Sequence, residues 1–292
     1  MNSPLLELSQ VSYRYPDGSI GLDGCSLRIA RGSRNVLIGA NGSGKTTLFQ
    51  HCNGLLRAQS GAVRYGGKDI DYGRAGLRDL RGKVGMVFQN PDHQLFSASV
   101  QEDVSFGPLN LGLDMATVRQ RVTAALQAVG MAEHANKAVH NLSFGQKKRV
   151  CIAGVLAMEP ELLVLDEPMA GLDHAMQKEL LAVLDGLHRR GITLLLATHN
   201  IDFAYRWAEH IHLMAGGRCT VSLNASELGE HAAALAAVGL PLPEVINLHR
   251  GLVDCGLLPA TPAPRCTHSL LSMLANVNIA KETHEKLPQI PC

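Results

Sequence analysis

The feature that most constrains this chain is a glycine-rich stretch in its first fifty residues. It fits the pattern G-x-x-x-x-G-K followed by Ser or Thr, which is typical of a loop that binds phosphate. Its residues are Gly39, Ala40, Asn41, Gly42, Ser43, Gly44, Lys45, Thr46 and Thr47. The apolar residues 36–38 predict a buried strand before it, and the residues from Lys45 onward predict a helix. The sequence therefore predicts the strand, loop and helix of a phosphate-binding α/β domain.

Each residue type in this loop has a chemical reason. Glycines let the backbone turn sharply, so that its N–H groups come close to phosphate oxygens. The amino terminus of the following helix adds partial positive charge. Lys45 is expected to reach the β- and γ-phosphates of a nucleotide, and the Thr46 hydroxyl to bind Mg²⁺. The loop alone predicts a nucleoside triphosphate without deciding the class of protein, and a chance glycine-rich turn is the alternative.

Composition excludes several classes of protein. A net charge of +1 over 292 residues does not provide the excess positive charge that is typical of proteins that bind nucleic acid. No signal peptide is predicted, and no apolar run approaches the roughly 18 residues that a membrane span requires. The seven cysteines are scattered without C-x-x-C spacing, which is typical of free thiols in a reducing compartment. His210 and His212 are expected to flank a strand and not to bind a metal.

A second candidate site follows another predicted strand. Residues 162–165 are uninterrupted apolar residues, as in a parallel sheet covered on both faces, and Asp166 and Glu167 come directly after them. A carboxylate at this end of a strand can support the Mg²⁺ shell, and the next carboxylate can polarise an attacking water. The alternative interpretation is a plain acidic turn after a strand.

Two further elements are weaker by themselves. Ser143, Gly145 and Gln146 stand at the start of a predicted helix, where free N–H groups and a hydroxyl can form a second anion site. A helix start capped by serine, without any ligand, is the alternative. His199 follows the apolar strand predicted at 192–197, and a structural histidine is the alternative there.

In their order along the chain these elements resemble the ATP-binding subunit of ABC transporters. The resemblance covers about residues 5–222 and includes Gln89 and the run 170–173. It implies an α/β fold with a P-loop NTPase ABC ATPase core, a β-subdomain, an inserted helical subdomain and a small carboxyl-terminal extension.

The resemblance also implies the domain boundaries. The ATP-binding domain is expected at 1–225, with a RecA-like core at 1–90 and 160–222 and the helical subdomain at 91–159. Residues 226–258 are expected to form an extension that contributes dimer contacts. Residues 259–292 are expected to be a proline-rich linker and a tail, with disorder as one interpretation.

Catalytic roles follow from the resemblance by position. Thr46 and Gln89 are implied to hold Mg²⁺, with Asp166 supporting that shell. Glu167 is implied to be the base that polarises water, and His199 to contact the γ-phosphate. The implied cofactors are ATP and Mg²⁺, and the implied activity is ATP hydrolysis.

Other matching positions concern the nucleotide base and the signature sequence. Tyr15 matches the aromatic residue that stacks on adenine, and Tyr13 is the alternative. Phe144 departs from the family pattern, in which glycine is common at this position. The departure is expected to alter the ATPase activity and not to abolish it. Ser143 and Gly145, the signature residues on which the main contact depends, are both present.

The resemblance implies that the signature of one subunit contacts the ATP bound by another. Ser143, Gly145 and Gln146 would supply this contact, and Asp173 would couple the two sites. The chain has one copy of each element, so one monomer cannot complete a site. Two copies placed head to tail would build two, which favours a homodimer, with a paralogous ATPase as the alternative second subunit.

Segments between these motifs resemble a narrower group. Residues 88–96, 100–113 and 147–158 are similar to energy-coupling-factor transporters, and the last of them looks most like the cobalt-type member. This implies the energy-coupling subunit of an importer for cobalt, with nickel or a vitamin as alternatives. The implied partners are a transmembrane coupling component and a substrate-binding membrane component, and no nucleic acid is implied. The chain is implied to be a peripheral subunit at the cytoplasmic face of the cell membrane.

Three rival interpretations remain from the sequence. A soluble ABC ATPase of DNA repair or translation usually carries long heptad insertions or tandem halves, and this chain has neither. A P-loop kinase or GTPase leaves the signature and His199 unexplained. A non-catalytic regulator is disfavoured by the presence of Glu167.

Overall fold

The computed structural model of the chain describes residues 3–285, and side chains up to residue 276. Within this part of the chain the strands are β1 (Leu6–Arg14), β2 (Ile20–Ile29), β3 (Arg34–Ile38), β4 (Ser60–Tyr65), β5 (Lys68–Asp69), β6 (Val84–Val87), β7 (Leu162–Asp166), β8 (Thr193–Thr198), β9 (His210–Ala215) and β10 (Arg218–Asn224). The α-helices are α1 (Lys45–Cys52), α2 (Arg74–Lys83), α3 (Val100–Asn110), α4 (Met115–Ala128), α5 (Phe144–Leu156), α6 (His174–Arg189), α7 (Ile201–Trp207), α8 (Ala232–Ala237), α9 (Glu244–Asp254) and α10 (Thr267–Glu285).

The central sheet has the strand order β10-β9-β3-β8-β7-β6. From β9 to β6 all neighbouring strands are parallel, whereas β10 is antiparallel to β9. Parallel strands end at the same edge of a sheet, and ligands bind outside that edge in open α/β sheets. The segments that follow β3, β6, β7 and β8 therefore meet there, and they contain most of the predicted site residues.

Both faces of this sheet are buried, as its uninterrupted apolar strands predict. Along β7, Leu163 and Leu165 pack into a core formed with the helices, whereas Leu162 and Val164 pack into a second core. The second core is closed by α1 and by the antiparallel sheet β2-β1-β4-β5. The two cores therefore pack against opposite faces of the central sheet and hold its strands in position.

Helices α3, α4 and α5 pack on one another beside the central sheet. All three begin with side-chain caps, and those of α3 and α4 lie outside the predicted site. Ser99 and Glu102 form a reciprocal capping box at α3, and the Asp114 carboxylate accepts two backbone N–H bonds at the start of α4. Gly130, in the left-handed region at φ 66°, follows the end of α4. These signals explain why the sequence breaks into separate short helices in this region.

The carboxyl-terminal residues pack on the core in the described part of the chain. Leu258 and Leu270 are buried. The Tyr205 hydroxyl of α7 donates to the Ala263 carbonyl at 2.9 Å, and Arg265 Nε donates to the Tyr205 carbonyl at 2.6 Å. The segment for which disorder was one interpretation thus includes residues that pack on the core, followed by α10 as far as residue 285. The rest of that expectation, residues 286–292, lies outside the described residues.

The expected membrane topology can be compared with the helices. No helix in residues 3–285 combines the length and the apolar character needed to cross a bilayer.

Candidate nucleotide-binding site

The phosphate-binding loop joins β3 to α1 and is pressed between backbone segments. Gly42 and Gly44 have φ angles of 78° and 103°, which residues with a side chain adopt only under strain. A Cβ at Gly39 would lie 2.2 Å from the Met214 carbonyl oxygen, and one at Gly44 would lie 2.5 Å from that of Gly21. Only glycine fits at these two positions, so the pattern of the motif has a direct steric cause.

The loop offers hydrogen-bond donors to an anion. The first N–H groups of α1 have no carbonyl partner within the helix. The Ser43 Oγ is buried and has no hydrogen-bond partner among the described residues. Buried polar atoms are nearly always paired, and a phosphate oxygen would satisfy this one. The loop therefore fits the triphosphate of ATP, with Asn41 exposed at its tip.

Lys45 holds its ammonium group at the same loop. Its Nζ donates to the carbonyl oxygens of Gly39 at 2.7 Å and Ala40 at 3.0 Å. Burial lowers the pKa of Lys45, while the neighbouring carboxylates of Glu167 and Asp166 act to raise it. A buried ammonium beside these carboxylates and the free N–H groups is well placed to bind phosphate oxygens.

An oxygen-rich cluster joins the loop to the end of β7. Thr46 Oγ1 donates to Asp166 Oδ2 at 2.6 Å, and burial raises the pKa of Asp166 against the effect of this bond. Gln89 is exposed and follows β6, where Val87 pairs with Leu165, so it stands at the same sheet edge. A hydroxyl, a carboxylate and an amide oxygen are ligands of the kind that Mg²⁺ prefers. These three residues fit that ion.

Glu167 has an unusual backbone conformation directly after β7. Its φ is 45°, in the left-handed region that residues other than glycine rarely adopt. Its N–H donates to the Ala197 carbonyl at 3.2 Å, and its side chain is 9% exposed. Glu167 Oε1 lies 3.2 Å from His199 Nδ1, so the two predicted catalytic residues are in contact. Such local strain often occurs at functional sites, although Gln10 and Glu159 share this conformation outside the site.

Tyr15 lies beside the loop and Tyr13 lies behind it. The Tyr15 hydroxyl is 2.9 Å from Thr47 Oγ1 in α1. The Tyr13 ring packs edge-on against Tyr15, with 5.1 Å between ring centroids, and against the buried His51 at 5.2 Å. Tyr13 is half-buried, with two other rings packed against it, which favours Tyr15 for stacking on a base. This role stays a prediction.

The signature residues lie at the start of α5. Ser143 Oγ accepts from the Gln146 N–H at 3.2 Å, and Gln146 Oε1 accepts from the Ser143 N–H at 3.0 Å. Asp173 caps α6 in the same way, accepting from the Met176 N–H at 2.8 Å. In residues 3–285, no hydrogen bond or ion pair joins Ser143, Gly145, Gln146 or Asp173 to the loop at 39–47. The capping bonds are therefore present, and these residues do not reach the loop of their own chain.

Helix α5 nevertheless contacts the turn after β7. A Cβ at Gly171 would lie 2.9 Å from Phe144 Cε1, and Gly171 has a φ of 74°. One turn along α5, Lys148 is 2% exposed and donates three hydrogen bonds to carbonyl oxygens of that turn. Phe144 and Lys148 therefore both pack against the segment that begins with Glu167.

Lys148 was not predicted from the sequence. It stands between Lys147 and Arg149, and three consecutive basic residues indicate a solvated face. The informative signal was spacing, because Lys148 is three residues from both Gly145 and Cys151, and positions three apart share one face of a helix. Both of those neighbours are buried.

Comparison with known proteins decides the family. The family model described as ABC transporter matches residues 22–170. The energy-coupling factor transporter ATP-binding protein EcfA of Methanothermobacter thermautotrophicus is 43% identical over 244 residues, covering 84% of this chain and 78% of that protein. The chain belongs to the ABC transporter ATP-binding proteins of the energy-coupling factor type. This ABC ATPase is also 43% identical to EcfA2 of Clostridium perfringens over 249 residues, 85% of this chain and 87% of that one.

Solved structures agree with this assignment. The structure of cbiO1 from Clostridium perfringens, described as part of the ABC transporter complex cbiONQ, matches with a TM-score of 0.72 and 42% identity, covering 85% of this chain and 99% of that chain. A dimeric structure of the ATP-binding cassette MJ0796, bound to ADP and Pi, matches with a TM-score of 0.69 and 26% identity, covering 75% of this chain and 98% of that chain. The predicted family, fold class and ATPase activity are confirmed.

Proposed function

We propose that this ABC ATPase energises an importer, and that two copies of the chain enclose two Mg-ATP molecules head to tail. The observation that supports this most is the arrangement at one edge of the central sheet. Lys45, the Thr46–Asp166 pair and the Glu167–His199 pair converge there. The signature residues of the same chain stand apart on α5, so each copy offers a catalytic half and a signature half.

The catalytic half carries out the chemistry. Lys45 and the loop N–H groups bind the β- and γ-phosphates and spread their charge. The Glu167 carboxylate acts as general base and accepts a proton from the attacking water. His199, in contact with Glu167 Oε1, orients that carboxylate and reaches towards the γ-phosphate. Tyr15 stacks on the adenine ring.

The metal ligands belong to the same half. Thr46, Gln89 and Asp166 would hold Mg²⁺, and a bound Mg²⁺ neutralises charge on the phosphate oxygens. The Thr46–Asp166 bond keeps the hydroxyl and the carboxylate together at the loop. Removing the side-chain oxygen of either residue should therefore weaken the hold on the metal and not on adenine.

The signature half comes from the second copy. Ser143 is exposed, and while its oxygen caps α5 its O–H remains free to donate to a phosphate oxygen. The amino terminus of α5 adds partial positive charge beside it. ATP thus attracts both surfaces, and hydrolysis followed by phosphate release removes the bridge. The dimer reported for the related cassette MJ0796 supports a dimer of two such chains, and a paralogous ATPase could take the place of the second copy.

A groove between α2 and α3 is where a helix of the transmembrane coupling component would bind. Its volume is about 860 Å³, and its lining mixes apolar side chains with Arg74, Arg78 and Arg81. Phe96 and Phe106 line it, are 65% and 48% exposed, and pack edge to face with 4.7 Å between centroids. Exposed paired aromatics are typical of protein interfaces. The description of the similar cbiO1 as part of a transporter complex favours a membrane subunit as the occupant.

Cobalt is the proposed substrate of the importer, with nickel or a vitamin as the alternatives. The resemblance of residues 147–158 to the cobalt-type member supports cobalt, whereas the names of EcfA and cbiO1 state no substrate. The membrane components select the substrate, so no residue of this chain is assigned a contact with it. The chain is placed at the cytoplasmic face of the membrane by these partners.

Replacing the base tests the proposed mechanism. Glu167→Gln keeps the size of the side chain but cannot accept the proton, so ATP hydrolysis should fall about 100-fold or more. Binding of ATP should persist, and the variant should accumulate as a dimer with saturating Mg-ATP. Phosphate release and light scattering after size exclusion measure the two effects.

A matched control separates this effect from a general loss of acid groups. Glu133→Gln makes the same chemical change at an exposed position next to α4 and should leave turnover and oligomeric state as they are. Near-normal turnover in Glu167→Gln would reject the assigned base. A Glu167→Gln protein that stays monomeric at saturating Mg-ATP would reject the shared site.

A further inference from the structure

Lys148 is a buried charged residue without an acidic partner. It lies in α5, is 2% exposed, and forms no ion pair among the described residues. Its Nζ donates to the carbonyl oxygens of Glu167 at 3.2 Å, Pro168 at 2.8 Å and Ala170 at 2.7 Å. An ammonium group has three N–H donors, so all of them are used on one short turn.

That turn contains the proposed catalytic base. Glu167 adopts the left-handed region, a conformation that persists only where the surroundings impose it. Two backbone bonds hold it, one from its own N–H to Ala197 at 3.2 Å and one from the Ala170 N–H to its carbonyl at 3.1 Å. The Lys148 ammonium adds a charged donor to the same carbonyl and to those of Pro168 and Ala170.

The surroundings of Lys148 keep this contact away from water. The Phe144 ring lies over the ammonium, with Nζ 5.2 Å from the ring centroid, and the same ring packs on Gly171. Burial lowers the pKa of Lys148 to about 8, while the Glu167 carboxylate and Cys151 act in the opposite direction. Hydrogen bonds from a charged donor in such an environment are stronger than in water.

We propose that Lys148 is a positioning residue for ATP hydrolysis, which fixes the turn from Glu167 to Ala170 and so sets the position of the Glu167 carboxylate. The proposal rests on the proposed role of Glu167 as the base. Lys148 also links the catalytic half of the chain to its signature half, because it lies on α5, the helix that Ser143 caps. Movement of α5 on engaging a nucleotide would reach the base of its own chain through this side chain.

Removing the ammonium is the first test, on the full chain with Mg-ATP. Lys148→Met keeps most of the volume of the side chain but removes the ammonium donor from three carbonyls. A misplaced base should lower kcat about tenfold or more, whereas the ATP dissociation constant measured without Mg²⁺ should stay within about twofold. Lys148→Arg keeps a charged donor and should recover part of the kcat. Lys68→Met makes the same change at an exposed position and is the control.

A double variant separates positioning from a merely structural role. If Lys148 acts through Glu167, adding Lys148→Met to Glu167→Gln should lower the residual hydrolysis by less than about twofold. A further tenfold loss in the double variant would overturn the proposal, and so would a kcat within about twofold of wild type in Lys148→Met.

Two other results are also decisive. If Lys148→Met fails to fold, Lys148→Gln replaces it, because a shorter amide cannot reach all three carbonyls, and full kcat in that variant would overturn the proposal. If Glu167→Gln alone hydrolyses ATP normally, the assigned base is wrong, and this result is distinct from a failure of Lys148.

Discussion

At the scale of single residues, a buried histidine ties three strands of the central sheet together. His212 in β9 is 3% exposed, with Nε2 3.2 Å from Asn35 Oδ1 and Nδ1 2.8 Å from Ser222 Oγ. An amide oxygen can only accept, so Nε2 carries the proton and Nδ1 accepts from the serine hydroxyl. Burial lowers the pKa of His212 to about 3, with His210 adding to the effect, so the folded protein keeps this ring neutral.

His212 should make the fold sensitive to acid. Its pKa in the folded chain lies below the ordinary value of 6.5, so the unfolded chain takes up the proton first. The contribution is complete above pH 6.5 and is lost as the pH falls towards 3, by up to about 1.4 kcal/mol for each pH unit. Urea unfolding at about pH 7.5, 6 and 5 measures this slope.

His212→Gln provides the comparison, since Gln cannot take up a proton. The difference in unfolding free energy between wild type and variant should shrink as the pH falls. Parallel curves for the two proteins would show that His212 does not carry the acid sensitivity.

The sequence predicts residues best where the backbone dictates their identity. Lys45 and Thr46 were predictable because the geometry of the phosphate-binding loop fixes the number of residues between them and the glycines Gly39 and Gly44. Lys148 was not, because its burial depends on the carbonyls of a turn that is distant in sequence, and no local pattern reports those. A basic residue that binds carbonyls cannot be told from a solvated one without the fold.

At the scale of elements, the start of α5 combines a cap and a proposed contact in one side chain. Ser143 should therefore affect stability and activity separately. Ser143→Ala removes the cap and should lower the unfolding free energy by about 1 kcal/mol. It also removes a donor to the ATP of the second copy, so hydrolysis should fall about tenfold or more.

Asp114→Ala is the matched control, because it removes the cap of α4 without touching a nucleotide. It should lower the unfolding free energy by a similar amount and leave hydrolysis within about twofold of wild type. Denaturant unfolding and phosphate release measure both proteins. Equal hydrolysis in the two variants would contradict a contact between Ser143 and ATP.

Elements differ in how well the sequence predicts them. Strands β3, β7 and β8 were clear because both faces of the sheet are buried and each strand contains an uninterrupted apolar run, at 36–38, 162–165 and 194–197. Helix α2 was missed because it contains two glycines, is rich in charged residues and buries only Leu80, so few apolar residues indicate it in the sequence. Helix α7 was missed because seven residues are too few to show a repeat, although Asn200 caps it.

At the scale of the whole molecule, the groove beside α3 should decide which proteins the chain joins. Phe96→Glu places a charge among its exposed aromatics and should abolish co-purification with the transmembrane coupling component. Affinity capture of the full chain from detergent-solubilised membranes, followed by identification of the retained subunits, measures this. Cells with the intact chain should take up Co²⁺ in an ATP-dependent way.

Met115→Glu offers a matched change on a different surface. Met115 is 55% exposed on α4, outside the groove, so this variant should retain the membrane subunits. Retention of the same subunits by Phe96→Glu would show that they bind elsewhere. Uptake of nickel or a vitamin in place of Co²⁺ would correct the substrate and leave the ATPase assignment standing.

The tight seating of Gly39 and Gly44 against neighbouring main chain has a consequence for how such proteins can diversify. Even a methyl group at either position would collide with a carbonyl oxygen, so substitution there removes the phosphate cradle outright and offers no intermediate forms. Substitutions that change the rate of ATP hydrolysis by degrees are therefore expected at exposed positions outside this loop. The exposed Phe144 is one such position.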